Sequence, residues 1–400
     1  MLKSKTWITK AYSFIQLFLH SRWKFRFPQS SDILIYDAES SRSFFGNFLA
    51  DYRCEEIFLR GEETNFWCLL SAMRFKSFWI EDPIRTYAEQ FLRYQKPRVV
   101  MTTIDNRVNF YQLKNKFPGI VFISLQNGHR DLADEFFSKI SAIPGLQCDY
   151  FFSFGTGVSE VYSKYISCDF ISHGSIRNNL VGKSILQYNN DNVAFVSEWE
   201  RCVGSGVKFV SYPNDVDVSW SDFYISDDEL LRVCVDWCQK NLKKLIIVGR
   251  QRNALLSKME FQYFSERISG CRWSFEAPID FSSSYKVIDS AKIVVGVGST
   301  LLFEALARGS RVGIFNARKF HNFNHRPFDY LNPEVVRGKF WTDSIDSCEF
   351  LRIINYVDSI SDEDWEMERL KHTDRVMSFD QGNSRLIDVL NHALLGSPQS

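Results

Sequence analysis

VVGVGSTLLFEALARGSRVGIFN, residues 294–316, decides the fold. An apolar run ends in Gly-Val-Gly-Ser-Thr. A helix-like apolar segment follows with one carboxylate in it, Glu304, and a second apolar run starts after Arg308-Gly309. Short continuous apolar runs read as strands buried on both faces, which is the habit of parallel sheets, and two parallel neighbours need a helical crossover. The stretch is therefore one strand–helix–strand unit. Gly298, Ser299 and Thr300 fall where the first strand passes into the helix. Free backbone N–H groups and the positive end of the helix dipole make that place a natural phosphate site. Gly298 is suited to a tight turn and to close approach of a ligand, and the two hydroxyls can donate further hydrogen bonds. Glu304, one turn along, is placed to accept from ribose hydroxyls.

The same form recurs outward from this unit. Upstream, KKLIIVGR (243–250), CRWSFEAP (271–278) and NVAFVSEW (192–199) read as strands. The segments at 226–242, 257–268 and 282–291 read as helices, with Ser226 as the N-cap of the first. The polar run Asn189-Asn190-Asp191-Asn192 interrupts the series, and a boundary falls near 184–191. Before it, SDILIYDAES, KPRVVMTTIDN, GIVFISLQNG and CDYFFSFGTG repeat the strand pattern, with helical segments such as 66–75 and 108–117 between them. Alternating strands and helices imply parallel sheets covered on both faces. The chain divides into a basic-aromatic segment (1–30), a first Rossmann-like domain (31–186), a second (187–345), and helices with a linker-like tail (346–400) that pack back across both.

In doubly wound sheets, ligands bind beyond the carboxyl ends of the strands. The residues there are the candidates: Asp37, Asp105, Arg130, Glu160, Ser175, Arg177 and Asn178 in the first domain, and Glu198, Arg250, Gly298, Ser299, Thr300 and Glu304 in the second. Glu160 follows Gly155-Thr156-Gly157, whose glycines permit close approach to the backbone, and it should face the cleft opposite the phosphate site.

Bulk properties narrow the class. Four hundred residues suit two domains. The 48 basic and 48 acidic residues balance, which argues against a dedicated nucleic-acid binder. Nine scattered Cys with no CxxC read as reduced thiols of a cytoplasmic protein. Asp215-Val216-Asp217 is a lone DxD. His321 and His325 lack an acid or Cys to complete a metal set, so neither a metal nor another cofactor is called for. No Walker loop, full dinucleotide fingerprint or nucleophile elbow occurs. Residues 1–31 hold six Lys or Arg among many aromatics and no acid. Two readings stay open there: a helix packed on the first domain, or one resting on an anionic membrane surface.

The ordered motifs TIDNRVNFYQL, FISLQNGHRD, DYFFSFG, HGSIRNN, VGR and SYKVIDSAKIVVGVGSTLLFEALARG resemble bacterial surface-carbohydrate glycosyltransferases of the GT-B fold. Within that group they look most like the β-Kdo transferase modules of O-antigen and capsule assembly. The resemblance covers roughly residues 30–320. It implies two Rossmann-like domains facing a central cleft, and transfer of Kdo from CMP-Kdo to a surface glycan with retention. CMP would lie on Arg250, Gly298, Ser299, Thr300 and Glu304, and Arg130, Ser175, Arg177 and Asn178 would hold substrate, with the arginines on the Kdo carboxylate. Retention by double displacement needs a carboxylate nucleophile and an acid/base group. Glu160 ranks first for acid/base work, beside Asp105, Glu198 and Asp37. The implied acceptor is a lipid-linked glycan, with other domains of a larger enzyme and the inner face of the inner membrane as surroundings. A UDP- or GDP-sugar transferase, an epimerase and a non-catalytic glycan-binding module remain the alternatives.

Overall fold

Apolar runs buried on both faces pair as parallel ladders covered by helices, and the chain follows that rule twice. The computed structural model describes residues 20–38, 45, 49–129, 135–183, 189–203, 208–211, 216–315 and 337–395. The first sheet contains β1 (Ile33–Tyr36), β2 (Cys54–Ile57), β3 (Val99–Thr102), β4 (Val121–Leu125), β5 (Leu146–Ser153) and β6 (Ile166–Ser172). Their order is β2-β1-β3-β4-β5-β6, every pairing parallel. The second contains β7 (Asn189–Val196), β8 (Lys244–Val248), β9 (Arg272–Glu276), β10 (Ala291–Gly296), β11 (Arg311–Phe315) and β12 (Trp341–Thr342). Their order is β9-β8-β7-β10-β11-β12, again parallel throughout. Counted from its own first strand this is 3-2-1-4-5-6, the dinucleotide-binding order, with its reversal between β7 and β10. The architecture is α/β with two Rossmann-like domains, the GT-B arrangement.

Helices that position the site are α1 (Thr156–Tyr162), α2 (Ile176–Leu180), α3 (Ile225–Lys240), α4 (Ala254–Ser265), α5 (Ser283–Ser290), α6 (Thr300–Arg308), α7 (Asp362–Val376) and α8 (Ser384–Leu395). Local signals set their ends. Ser299 caps α6 by accepting the Leu301 N–H, and Gly309, at φ 95°, closes it in the left-handed conformation that glycine favours. The left-handed glycine of the opening stretch is thus Gly309, and Gly298 is not among the positive-φ glycines. Asn253 caps α4, and Ser361 caps α7 ahead of Asp362, Glu363 and Asp364, which complement the helix dipole. Ser226 does not cap α3. That helix starts one residue earlier, directly after the turn Trp220–Phe223, and the cap belongs to Ser219 at the head of that turn. The Ser226 hydroxyl is buried inside the first turn instead.

The chain crosses between domains twice, first from β6 to β7 and again after α7. On the return, the Ser378 N–H donates to the Phe154 carbonyl at 2.6 Å and Phe379 bridges to Gly174. Gly174, at φ 81°, has no room for a side chain, since an added Cβ would lie 2.0 Å from the Ser378 carbonyl oxygen. Helix α8 then lays Leu386, Leu390 and Leu394, spaced by four, onto the first sheet against Ile33, Ile35, Val99 and Met101. Burial of each leucine contributes about 1.5–3 kcal/mol. All nine cysteines are free thiols. Among the described residues no helix is long and apolar enough to cross a membrane. The basic segment before residue 20, Arg130, Asp215 and the pair His321 and His325 lie outside the described residues; of Asp217 only the backbone, in the strand Val216–Ser219, is described.

Candidate functional site

A cavity of about 490 Å³ opens where the carboxyl ends of the two sheets meet. The first domain supplies the loop after β4 (Gln126, Asn127, Gly128, His129) and the head of α2 (Ser175, Ile176, Arg177). The second supplies Ser197 and Glu198 after β7, Gly249, Arg250 and Arg252 after β8, Tyr285 of α5, and Gly298, Ser299, Thr300 and Glu304 from the β10–α6 unit. This is the crevice at the reversal of strand order, where doubly wound sheets take their ligands.

Glu198 joins the two sides of that reversal. Its Oε2 accepts the Gly298 N–H at 3.0 Å, and its carbonyl accepts from Arg250 Nη1 at 2.9 Å. Arg250 also pairs with Glu200 at 2.7 Å. Beneath them, Glu260 of α4 is fully buried. It accepts the Ser197 hydroxyl at 2.5 Å and the backbone N–H groups of Arg250 and Gln251 at 3.0 Å. Burial pushes its carboxyl above the usual range, and the hydrogen bonds oppose that shift. One acid thus ties the loops after β7 and β8 into a single floor. Nothing local in the sequence marks Glu260: it sits mid-helix and meets loop atoms from two other segments.

Glu304 is buried at the cavity edge. Tyr285 donates its hydroxyl to Oε2 at 3.0 Å. Burial raises the Glu304 carboxyl, and hydrogen bonds from Ser175 and Tyr285 and the positive charges of Arg177 and Arg308 pull the other way. Ser175 and Arg177 belong to the first domain, so Glu304 is a contact between domains as well as a cavity wall. A second such contact lies beside it. The His129 ring stacks on Phe303 with centroids 4.3 Å apart, and the His129 N–H meets the Thr300 hydroxyl at 3.4 Å. Three guanidinium groups, of Arg177, Arg250 and Arg252, line the cavity against the carboxyls of Glu198 and Glu304. Guanidinium pairs bidentately with phosphate and carboxylate, so the lining suits an anionic ligand.

The remaining candidates go elsewhere. Asp105 is buried under the cavity wall, accepting the Asn127 N–H at 3.2 Å and the Tyr162 hydroxyl at 2.7 Å, where it braces the β4 loop. Asp37 holds a left-handed φ of 57° and is fully buried between Arg107 at 2.9 Å and Arg60 at 3.3 Å. Asn178 is buried against Arg308, whose Nη1 donates to its Oδ1 at 3.1 Å. Glu160 does not face the cavity. The glycines before it admit the end of α7, and a Cβ on Gly155 would lie 2.4 Å from the Arg375 carbonyl oxygen. Glu160 lies half exposed, 3.8 Å from Arg375. The space expected for a ligand is filled by the chain's own return.

Fold and crevice together define a GT-B protein with an arginine-lined interdomain site suited to an anionic ligand. The chain belongs to the family described as "putative O-antigen biosynthesis protein", which matches residues 121–394, and so to surface-glycan biosynthesis. No curated protein matches the sequence. Among solved structures it is similar to a "putative UDP-N-acetylglucosamine 2-epimerase" from Listeria monocytogenes, at 10% identity and TM-score 0.51, over 93% of this chain and 98% of that one. It is also similar to a glycosyltransferase from Rickettsia africae, at 12% identity and TM-score 0.48, over 91% and 90%. A variant of the wall teichoic acid polymerase TagF gives 11% identity and TM-score 0.49, over 93% and 90%. At such identities the likeness concerns the fold.

Proposed function

We propose that the chain is a glycosyltransferase that takes Kdo from CMP-Kdo and passes it, with retention, to a lipid-linked surface glycan. The observation that carries the reading is the cavity at the β7–β10 reversal, where Ser299 and Thr300 head a nine-residue helix and three arginines gather. CMP-Kdo carries two anionic groups, a phosphodiester and a carboxylate. The head of α6 with Arg250 and Arg252 suits the first, and Arg177 on the opposite wall suits the second. Glu304, steadied by Tyr285, accepts from the ribose.

Of the four candidate carboxylates, Glu198 is the one in the cavity lining. In the proposed double displacement a Glu198 oxygen bonds to the anomeric carbon as the bond to the phosphate oxygen breaks and CMP departs. The acceptor hydroxyl then attacks the same carbon from the other side, releasing Glu198 and giving its proton to a base. Neither the sugar nor the stereochemistry follows from family membership; both rest on the motif resemblance. Calorimetry with CMP, UDP and GDP tests the donor, followed by turnover of CMP-Kdo with a glycan acceptor. Selective CMP binding and retained configuration are the expected results. A preference for UDP or GDP replaces the donor, and turnover of a UDP-sugar without acceptor makes the chain an epimerase.

A further inference from the structure

We propose that the face of the first domain made by residues 22–27 and 66–80 is a docking surface for an anionic lipid bilayer. This rests on surface composition and geometry, independently of the donor reading. In RWKFRF, aromatic and basic residues alternate, and the extended strand Arg22–Lys24 pairs with Glu63–Asn65. Phe25 is 67% exposed and Phe27 52%. The segment is nonetheless anchored. The Trp67 indole donates to the Phe25 carbonyl at 2.7 Å, Asn65 to the Arg26 carbonyl at 2.9 Å, and the Phe27 ring lies 4.8 Å from that of Tyr94. The neighbouring helix Lys76–Ile80 buries Phe78 and turns Trp79 and Ile80 outward, 55% and 62% exposed, with the Trp79 indole donating to the Met73 carbonyl at 2.8 Å. Held aromatics that still face outward are a formed surface. Exposed aromatic and aliphatic side chains gathered on one domain and interleaved with basic residues mark an interaction site.

Charge selects the occupant. Residues 22–31 and 64–80 contain no acid, and Arg26, Arg74 and Lys76 are exposed among the rings. The flanking acids are already engaged, Glu63 by Lys24 at 2.5 Å and Glu81 by Arg85 at 2.6 Å. The core of a protein–protein interface is depleted of charge, and lysine above all is rare there. Tryptophan and phenylalanine interleaved with Arg and Lys fit the headgroup layer, where rings enter the acyl boundary and cations meet lipid phosphate.

The test is sedimentation of the full chain with vesicles of phosphatidylcholine plus phosphatidylglycerol, and with phosphatidylcholine alone. Two variants accompany it, F75S/W79S/I80S and R74E/K76E, each checked for an unchanged melting curve. The expected result is binding to the anionic vesicles that weakens with salt and falls at least about tenfold in each variant, since each of the two basic residues lost in R74E/K76E counts for about fivefold and the three apolar side chains lost in the other variant remove the buried area. Equal partition of wild type and both variants overturns the proposal. So does sedimentation that survives both variants and vanishes only when residues 1–19 are removed. A dimer in analytical ultracentrifugation that W79S abolishes, without vesicle binding, also overturns it and makes the face a contact between copies.

Discussion

Arg308 lies in the opening stretch but not among the strand-end candidates, and it is among the largest fully buried side chains of the described residues. Its guanidinium meets Asp289 twice, at 2.7 and 2.5 Å, and reaches into the other domain, to Asn178 Oδ1 at 3.1 Å and to the carbonyls of Val181 and Gly182 at 2.9 and 3.1 Å. The Arg308 and Asp289 side chains are 0% and 2% exposed, so water cannot replace either partner. In Arg308→Met the Asp289 carboxylate loses its counter-ion and the two carbonyls lose their donor. Breaking a buried pair from one side costs about 3–5 kcal/mol. Adding Asp289→Asn removes the stranded charge, so the double variant should be more stable than the sum of the single losses predicts, with a coupling of about 1–3 kcal/mol. Urea titration followed by tryptophan fluorescence reads the stability. Hydrogen exchange reads the place, because amides of residues 176–182 should lose protection before those of the sheets. A loss below about 1 kcal/mol, or strictly additive losses, refutes the argument that this cluster ties the domains together.

Three further outcomes are expected. Ser299→Ala with Thr300→Ala should weaken CMP binding by about 1–3 kcal/mol in calorimetry, as for hydrogen bonds to a charged partner; unchanged affinity removes the phosphate assignment. Glu198→Gln should lower kcat by roughly 10⁴–10⁶-fold, as loss of a covalent nucleophile does, whereas Glu160→Gln, beside Arg375 and away from the cavity, should leave it near wild type; the reverse ranking sinks the role given to Glu198. His173, buried at the end of β6 with Asp380 3.5 Å away and Arg385 nearby, has its pKa lowered by burial to about 4. The unfolded chain takes up that proton near pH 6.5, so between pH 6.5 and 4 it binds more protons than the folded chain and stability falls as pH falls. The limit is about 3 kcal/mol at 1.36 kcal/mol per pH unit. His173→Gln should flatten that part of the pH–stability curve, and an unchanged slope there refutes the assignment.

Much of this molecule is legible where the decisive interactions are local. Residues 294–315 read correctly as strand, helix and strand because a run buried on both faces, a serine cap and a left-handed glycine are all written within about twenty positions. The rule that ligands meet strand ends likewise places Glu198, Arg250, Ser299 and Thr300 around one cavity, since it depends only on where each strand stops. What the sequence hides is which strand-end groups the fold consumes. Asp105 is taken by Tyr162, 57 positions on, Asn178 by Arg308, 130 positions on, and the glycines before Glu160 by Arg375. No periodicity reports such distances. Glu260 is hidden for the converse reason, a mid-helix acid whose partners are loop atoms of two other strands.

The C-terminal return explains both the misplaced acid and the way the cleft is held. Gly155 and Gly174 are sites of close backbone approach, as small residues after strands suggest, but the backbone that approaches is that of residues 374–379. Two crossings, after β6 and after α7, therefore run side by side at one end of the cleft, and the Arg308 cluster sits on the first of them. At that end the two domains are held by backbone hydrogen bonds as well as by the Arg308 guanidinium. Beside it, Ser175 with Glu304 and His129 with Phe303 and Thr300 also join the domains directly across the cavity wall. Glu304 therefore meets both domains at once, Tyr285 and Arg308 on its own side and Ser175 and Arg177 on the other, and the burial they share is what raises its carboxyl.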